Sequence, residues 1–382
     1  MSLTDLHIVS FDVPYPPNYG GVIDVYYKIQ ALHEAGIRVH LHTFCYGRKV
    51  APELERICAS VHYYKRNMSK LLLLSGRPFI VVTRQSEELM QRLLADDAPI
   101  LFEGLHCCGH LDDKRLSSRI KAVRTHNIEH DYYAALAGAE HNFFRRWYFR
   151  REARRLLKFE SVLHKASAVL AISPADTIQL ERRYGQKVEH VMAFHPNTGV
   201  QITSGIGKFA LYHGNLEVAE NQQAALFLIN EVFAGTSHQL IIAGNNPPQT
   251  LRDSAARHSN VELRLNISTA EIDTLIAEAH CNILPTFQAT GIKLKLLAAL
   301  FRGRHCLVNA PMIANTGLDD LCVMCTDAAA FRTALDKIAL LPFGETDIAK
   351  RKSILGSRFS NAENAGKLIA AINNVLNEET SR

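Results

Sequence analysis

The chain lacks any apolar run near the roughly 20 residues that span a bilayer. Its leucine stretch at 71–74 is four residues long, so no membrane-spanning helix is expected. The first residues show neither the basic start nor the apolar core of a signal peptide, and a cytoplasmic location is expected. A strong charge bias is also missing: 43 Lys and Arg against 38 Asp and Glu leave a net charge of +5. That excess does not by itself imply nucleic acid, though it suits an anionic substrate or an anionic membrane surface. No GxGxxG is present, which removes the usual dinucleotide fingerprint. The eight cysteines stand among apolar neighbours, as reduced core thiols do. Cys322 and Cys325 form a CxxC, but no second pair or His pair stands at zinc spacing, so no metal site is expected there.

What remains is an ordinary globular composition, 47% hydrophobic and 21% charged over 382 residues, enough for two or three domains. Short apolar strands alternate with helical segments, the pattern of α/β units with parallel sheets. Strands are expected at His7–Phe11, Arg38–Phe44, Ser60–Tyr64, Ile100–Glu103, Lys121–Thr125 and Ala168–Ile172. The alternation then restarts with Phe209–His213, Gln239–Ala243, Val261–Leu265, Asn282–Leu284, His305–Asn309 and Val323–Cys325. Between the two sets, Phe194–Lys208 is rich in Gly, Pro, Asn, Ser and Thr and has no sustained period, which is linker composition. The reading is α/β, with two facing Rossmann-like domains of similar size and a C-terminal helix. The first domain spans 1–195, the linker 196–207 and the second domain 208–352. Residues 353–382 form a helical segment that can pack back on the first domain. Sheets of this kind bind ligands outside the carboxyl ends of their strands.

Several residues stand at those ends. In Ile283–Leu300, ILPTFQATGIKLKLLAAL, an apolar strand runs into Pro285, a loop with Gly291, and an apolar helix. A helix N-terminus offers unpaired N–H groups to a phosphate. Lys293 and Lys295 sit at or near that first turn, where cations oppose the helix dipole by roughly 0.3–1 kcal/mol. A bound anion explains them; two solvated lysines on a helix face are the alternative. Gly20 and Gly21 lie between the first strand and its helix, where backbone can approach a ligand closely or simply turn. His126 and Asn127 follow a strand; His126 can exchange protons near neutral pH or serve as a structural hydrogen-bonder. Glu103 and His106, in FEGLH, can bind acceptor hydroxyls, or Glu103 can cap the next helix. Glu129 can orient His126 or Arg124.

Residues 141–158, HNFFRRWYFRREARRLLK, crowd arginines among Phe143, Phe144, Trp147, Tyr148 and Phe149. A basic amphipathic helix with aromatics can lie on an anionic membrane surface; the alternative packs the aromatics inward. No nucleic-acid-binding module accompanies the arginines.

The ordered set PPNYGG, RTHNIEHDYY, AISPAD, LYHGNL with Glu220-Asn221, and ATGIKLKLLAALFRG resembles a GT-B glycosyltransferase, of the family-four retaining group that includes bacterial mannosyl- and glucosyltransferases. The resemblance covers most of the chain. It implies transfer of a hexose from a nucleotide diphosphate sugar, UDP- or GDP-linked, to a saccharide or lipid-linked acceptor, in polysaccharide biosynthesis and with retention. It implies His126 near the transferred sugar. It also implies Gly20, Gly21, Gly214, Asn215, Thr290, Gly291, Lys293 and Lys295 around the donor and its phosphates, and Glu103, His106 and Asn127 toward the acceptor. No cofactor or metal is expected, because Asp112-Asp113 and Asp319-Asp320 lack the context of a metal-binding acidic motif. The sequence departs from the group's pattern. Its E-x7-E positions hold Thr290 and Ala298, and its Arg and Lys after the second-domain strand are replaced by Asn215 and Glu220. Those departures keep two alternatives open: a non-catalytic or partner-dependent homologue, and a sugar-nucleotide epimerase on the same fold.

Overall fold

The computed structural model describes residues 2–140, 142–287, 293–314 and 316–380. The chain divides into two compact units, 1–196 with 361–382, and 197–360.

In the first unit seven strands form one sheet: β1 Asp5–Ser10, β2 Arg38–Cys45, β3 Ser60–Lys65, β4 Ile100–Glu103, β5 Lys121–Thr125, β6 Ala168–Ala171 and β7 Val188–His190. Their order is β3-β2-β1-β4-β5-β6-β7, and every neighbouring pair is parallel. The central strands β4, β5 and β6 are buried along their whole length because both faces are covered. One face packs on Val25, Ile29 and Leu32 of the helix Gly20–Glu34 and on Leu368 and Ile372 of the C-terminal helix Asn361–Thr380. The other face packs on Leu89, Met90, Leu105, Leu156 and Leu180 from intervening helices. The short edge strand β7 was not expected; three residues after a helix carry too little periodicity to announce a strand.

The second unit holds β8 Ala210–His213, β9 Leu240–Gly244, β10 Val261–Leu265, β11 Cys281–Leu284, β12 His305–Val308 and β13 Val323–Met324, in the order β10-β9-β8-β11-β12-β13, again all parallel. The edge strand β10, VELRL, alternates in burial as a one-sided strand should, whereas β9, LIIAG, is buried throughout. Residues expected as a free linker are tied into this unit: Gly205 pairs with Phe343 in an isolated bridge, and Gln201 N–H donates to the Phe301 carbonyl at 2.8 Å. Residues 345–358 form a separate helix of the second unit before the last helix begins.

Each sheet has a point where the strand order reverses, at β1/β4 in the first unit and β8/β11 in the second. At such points the connections leave in opposite directions and open a crevice at the carboxyl ends.

Candidate functional site

At the first reversal point β1, β4 and β5 deliver Phe11, Glu103 and His126, and the helix Gly20–Glu34 delivers Asp24 and Lys28. Tyr19, the residue before that helix, offers no side-chain cap, and the Phe11 ring lies against Gly21. One and two turns into the helix, Asp24 and Lys28 are buried. Lys28 Nζ donates to Asp24 Oδ2 at 2.8 Å and to Glu103 Oε1 and Oε2 at 2.7 and 2.8 Å. Arg124, on β5, donates to Asp24 Oδ1 at 3.1 Å and to the Met192 carbonyl at 2.8 Å. The Phe194 N–H donates to Asp24 Oδ1 at 2.8 Å. Two carboxylates thus face two fixed cations. Burial works to raise the pKa of both acids. For Asp24, Arg124 and Lys28 outweigh it; for Glu103, Lys28 and the His126 hydrogen bond do, so both carboxyls stay below their ordinary range.

The network ends on His126, whose Nε2 stands 2.9 Å from Glu103 Oε2, fixing the imidazole. Asp24, Glu103 and His126 converge as metal ligands could. However, the Lys28 ammonium already sits on both carboxylates, where a divalent cation would have to displace it. Beside this network, the Phe11 ring lies 5.5 Å from the centroids of both His106 and His126. Gly104 joins β4 to this corner with φ of 70°; a Cβ there would stand 2.7 Å from His106 Nδ1, so only glycine fits. Burial pushes the His106 pKa well down, with Arg84 and His126 adding to it, so the ring is neutral. Glu129 Oε1 lies 3.9 Å from His106 Nδ1. Burial, opposed by Arg84, raises the Glu129 pKa to about 8, so it keeps a proton near neutral pH.

These positions correct two expectations. Glu103 does not meet acceptor hydroxyls, because its carboxylate is fully buried and taken up by Lys28 and His126. Glu129 orients neither His126 nor Arg124; Glu103 and Asp24 do that, and Glu129 stands beside His106. His106 is brought into the corner with His126, and Asn127 follows it half-buried. Asp24 and Lys28 were missed. Their signal was an i, i+4 charge pair set among Val22, Val25 and Ile29 on the apolar stripe of the helix.

The second reversal point lies at the ends of β8 and β11. There Lys293, the residue preceding the helix Leu294–Arg302, reaches Glu220 Oε1 at 3.1 Å. Thr286, just after β11, donates its hydroxyl to the same oxygen. Lys295 Nζ donates to Asn221 Oδ1 at 2.6 Å and lies 5.0 Å above the Tyr212 ring. Asn221 Nδ2 in turn donates to the Asn215 carbonyl at 2.8 Å. Gly214 abuts both: a Cβ there would stand 3.2 Å from Lys295 Nζ and from the Asn221 amide, so a side chain at this crossing would press on both. Burial lowers the Lys295 pKa to about 8, with Glu220 opposing the shift. Burial and Lys295 lower His213 to about 3, which leaves one net positive charge from Lys293, Lys295 and Glu220 when Lys295 is protonated.

The two lysines are therefore not solvated: side chains from two helices, a strand end and a loop hold them. Asn215, Gly214, Lys293 and Lys295 are brought together here, whereas Gly20 and Gly21 belong to the first unit. Thr290 and Gly291 lie outside the described residues. Ala298 packs against the cluster of Leu211, Ile241 and Ile276.

No protein-family model matches the chain. Among curated proteins, it is 24% identical over 321 residues to an uncharacterized 44.6 kDa protein in the cps region of Klebsiella pneumoniae, covering 77% of this chain and 79% of that one. Among solved structures it is similar to a glycosyltransferase from Rickettsia africae ESF-5, with TM-score 0.65, 11% identity, and 98% and 99% of the two chains covered. It is also similar to Anabaena Alr3699/HepE in complex with UDP and glucose, with TM-score 0.65, 12% identity, and 97% and 100% covered. TarM gives TM-score 0.67 at 9% identity over 97% and 99%. At these identities the likeness defines the fold: two Rossmann-like α/β units of the GT-B class.

Proposed function

We propose that the protein is a glycosyltransferase that moves a hexose from a nucleotide diphosphate sugar, UDP- or GDP-linked, to a saccharide or lipid-linked acceptor. The observation that carries this is the Lys293–Lys295 cradle at the reversal point of the second unit, on a fold shared with proteins such as HepE, whose structure holds UDP and glucose. The donor diphosphate binds there. As the glycosidic bond breaks, negative charge grows on the leaving diphosphate, and the lysines, with the adjacent helix N-terminus, stabilise it. This work is done by side chains, so the reaction requires neither a metal nor another cofactor. His126 acts on the transferred sugar, with retention of configuration in keeping with the resembled group, and the enzyme works in the cytoplasm.

Titration of nucleotide diphosphates by calorimetry tests the donor site. Each charge-assisted contact is worth about 1.5–3 kcal/mol, so Lys293→Ala/Lys295→Ala should weaken binding by at least about a hundredfold. Binding of the wild type should also weaken as pH rises through about 8, where Lys295 loses its proton. The free site must then take up a proton to regain its charge, a slope approaching tenfold per pH unit. Undiminished binding by the double variant would sink the assignment. The replacement of the resembled group's donor contacts by Asn215, Glu220, Thr290 and Ala298 favours a second reading, a homologue that binds donor without turnover or with a partner. Incubation with donor alone separates transfer and donor hydrolysis from epimerisation.

A further inference from the structure

The helix Phe143–Phe159 has an inner and an outer face. Inward, Leu156 joins the core, Phe149 meets Tyr133 edge-on at 6.0 Å, and the buried Glu152 accepts from the Phe79 N–H at 2.6 Å. Outward, Phe143, Trp147, Arg150, Arg154 and Leu157 follow at three- and four-residue spacing, and all are exposed. Phe144 beside them is 78% exposed.

A second apolar element stands next to this face. The turn Lys70–Leu74 exposes Leu71 by 77% and Leu74 by 80%. Arg151 and Arg155 both donate to the Leu73 carbonyl, at 3.1 and 3.0 Å, so the helix holds the leucine turn in place. Arg151 also lies 5.4 Å from the Trp147 ring centre. Below the turn, a cavity of about 310 Å³ is lined by Arg77, Arg155, Lys158, Lys165, Phe159 and Asp112, among others. Asp112 is matched by Arg77 at 2.8 Å. Among the described residues no carboxylate pairs with Lys158 or Lys165.

Large exposed aromatics and leucines mark a surface that meets something apolar. The same surface presents Arg146, Arg150, Arg151, Arg154 and Lys158 along a single helix whose one acid, Glu152, is buried and paired with Arg155 at 2.9 Å, while Arg145 pairs with Glu140 at 3.2 Å. A second copy of the chain would set these cations against themselves. The fitting partner is apolar inside and anionic at its face. We propose that residues 70–74 and 143–158, with the basic cavity beside them, dock on the acidic phospholipid surface of a bilayer. In this arrangement Phe143, Phe144, Trp147, Leu71 and Leu74 enter the interface, the arginines meet phosphates, and the cavity receives one headgroup through Lys158 and Lys165. The proposal uses none of the residues assigned to donor binding or to His126, so either can fail without the other.

Trp147 is the only tryptophan in the chain, and its emission reports this surface alone. The full-length protein is mixed with vesicles of phosphatidylglycerol and phosphatidylcholine in equal parts, or of phosphatidylcholine alone, with co-sedimentation in parallel. The proposal predicts a blue shift and co-sedimentation with the acidic vesicles only, reversed by high salt. Soluble glycerol phosphate should give neither. Lys158→Ala/Lys165→Ala should weaken vesicle binding by about tenfold or more, at about 1 kcal/mol per basic residue. Leu71→Ser/Leu74→Ser should weaken it comparably while leaving calorimetric binding of nucleotide diphosphate unchanged. Equal binding to neutral vesicles, no sedimentation, or a blue shift that follows protein concentration without vesicles would overturn it, the last by revealing a protein partner surface instead.

Discussion

Lys28→Met is expected to destabilise the first unit by about 3–5 kcal/mol, the cost of leaving a buried charge without its partner. The reason is geometric. Lys28 Nζ touches both Asp24 and Glu103 at 2.8 Å or less, and none of the three side chains is more than marginally exposed. Methionine fills the stem's volume but leaves two buried carboxylates against Arg124 and His126. Removing one negative charge as well should return much of the loss, so Lys28→Met/Glu103→Gln should be more stable than Lys28→Met alone. Urea unfolding followed by Trp147 fluorescence measures this in the right unit, because the only tryptophan lies there. If Lys28→Met unfolds within about 1 kcal/mol of the wild type, the network is as weak as a solvated surface pair and does not fix His126.

The second large effect falls on turnover. His126→Gln keeps a group that can meet Glu103 but cannot exchange a proton as imidazole does. On the proposed function it should lower sugar transfer by about 10²–10⁴-fold, the usual scale for a positioned acid–base group. Its urea midpoint and its affinity for nucleotide diphosphate should stay near those of the wild type, since the donor cradle belongs to the other unit. Glu103→Gln should lower turnover by less, because Glu103 acts through His126 and touches no substrate. Full activity in His126→Gln would remove the histidine from the reaction and leave it a structural ligand of Glu103.

Much of the fold was legible because parallel strands buried on both faces must be short and apolar. Ile100–Glu103 could be bounded to the residue on that ground, and Val261–Leu265 by the alternation of a strand with one buried face. The carboxyl ends of those strands then pointed to His126, Gly214, Lys293 and Lys295. What stayed hidden was long-range pairing of charge. Asp24 and Lys28 form an i, i+4 pair whose only mark in the sequence is its place on an apolar stripe; the partner Glu103, 75 residues from Lys28, could not be read from it. Lys293 likewise looked misplaced at a helix start, because its counter-charge, Glu220, lies 73 residues earlier on a different helix. Glu103 reads in the sequence as an acceptor contact or a helix cap, because sequence marks a strand end but not which way the ion pairs face. The arginine-rich helix divides between its two readings: Tyr148 and Phe149 turn inward, while Phe143, Phe144 and Trp147 face solvent.

The central claim, sugar transfer from a nucleotide donor held by Lys293 and Lys295, is tested most directly by nucleotide release. A panel of UDP- and GDP-hexoses is incubated with the wild type and with Lys293→Ala/Lys295→Ala, with saccharide acceptors and a chelator present, and the free nucleotide diphosphate is measured by chromatography. The account predicts release from at least one donor by the wild type, unaffected by the chelator and at least about a hundredfold slower in the variant, as expected when charge-stabilising groups for the leaving diphosphate are removed. Release that is equal in both proteins, or that stops when the chelator is added, would contradict it.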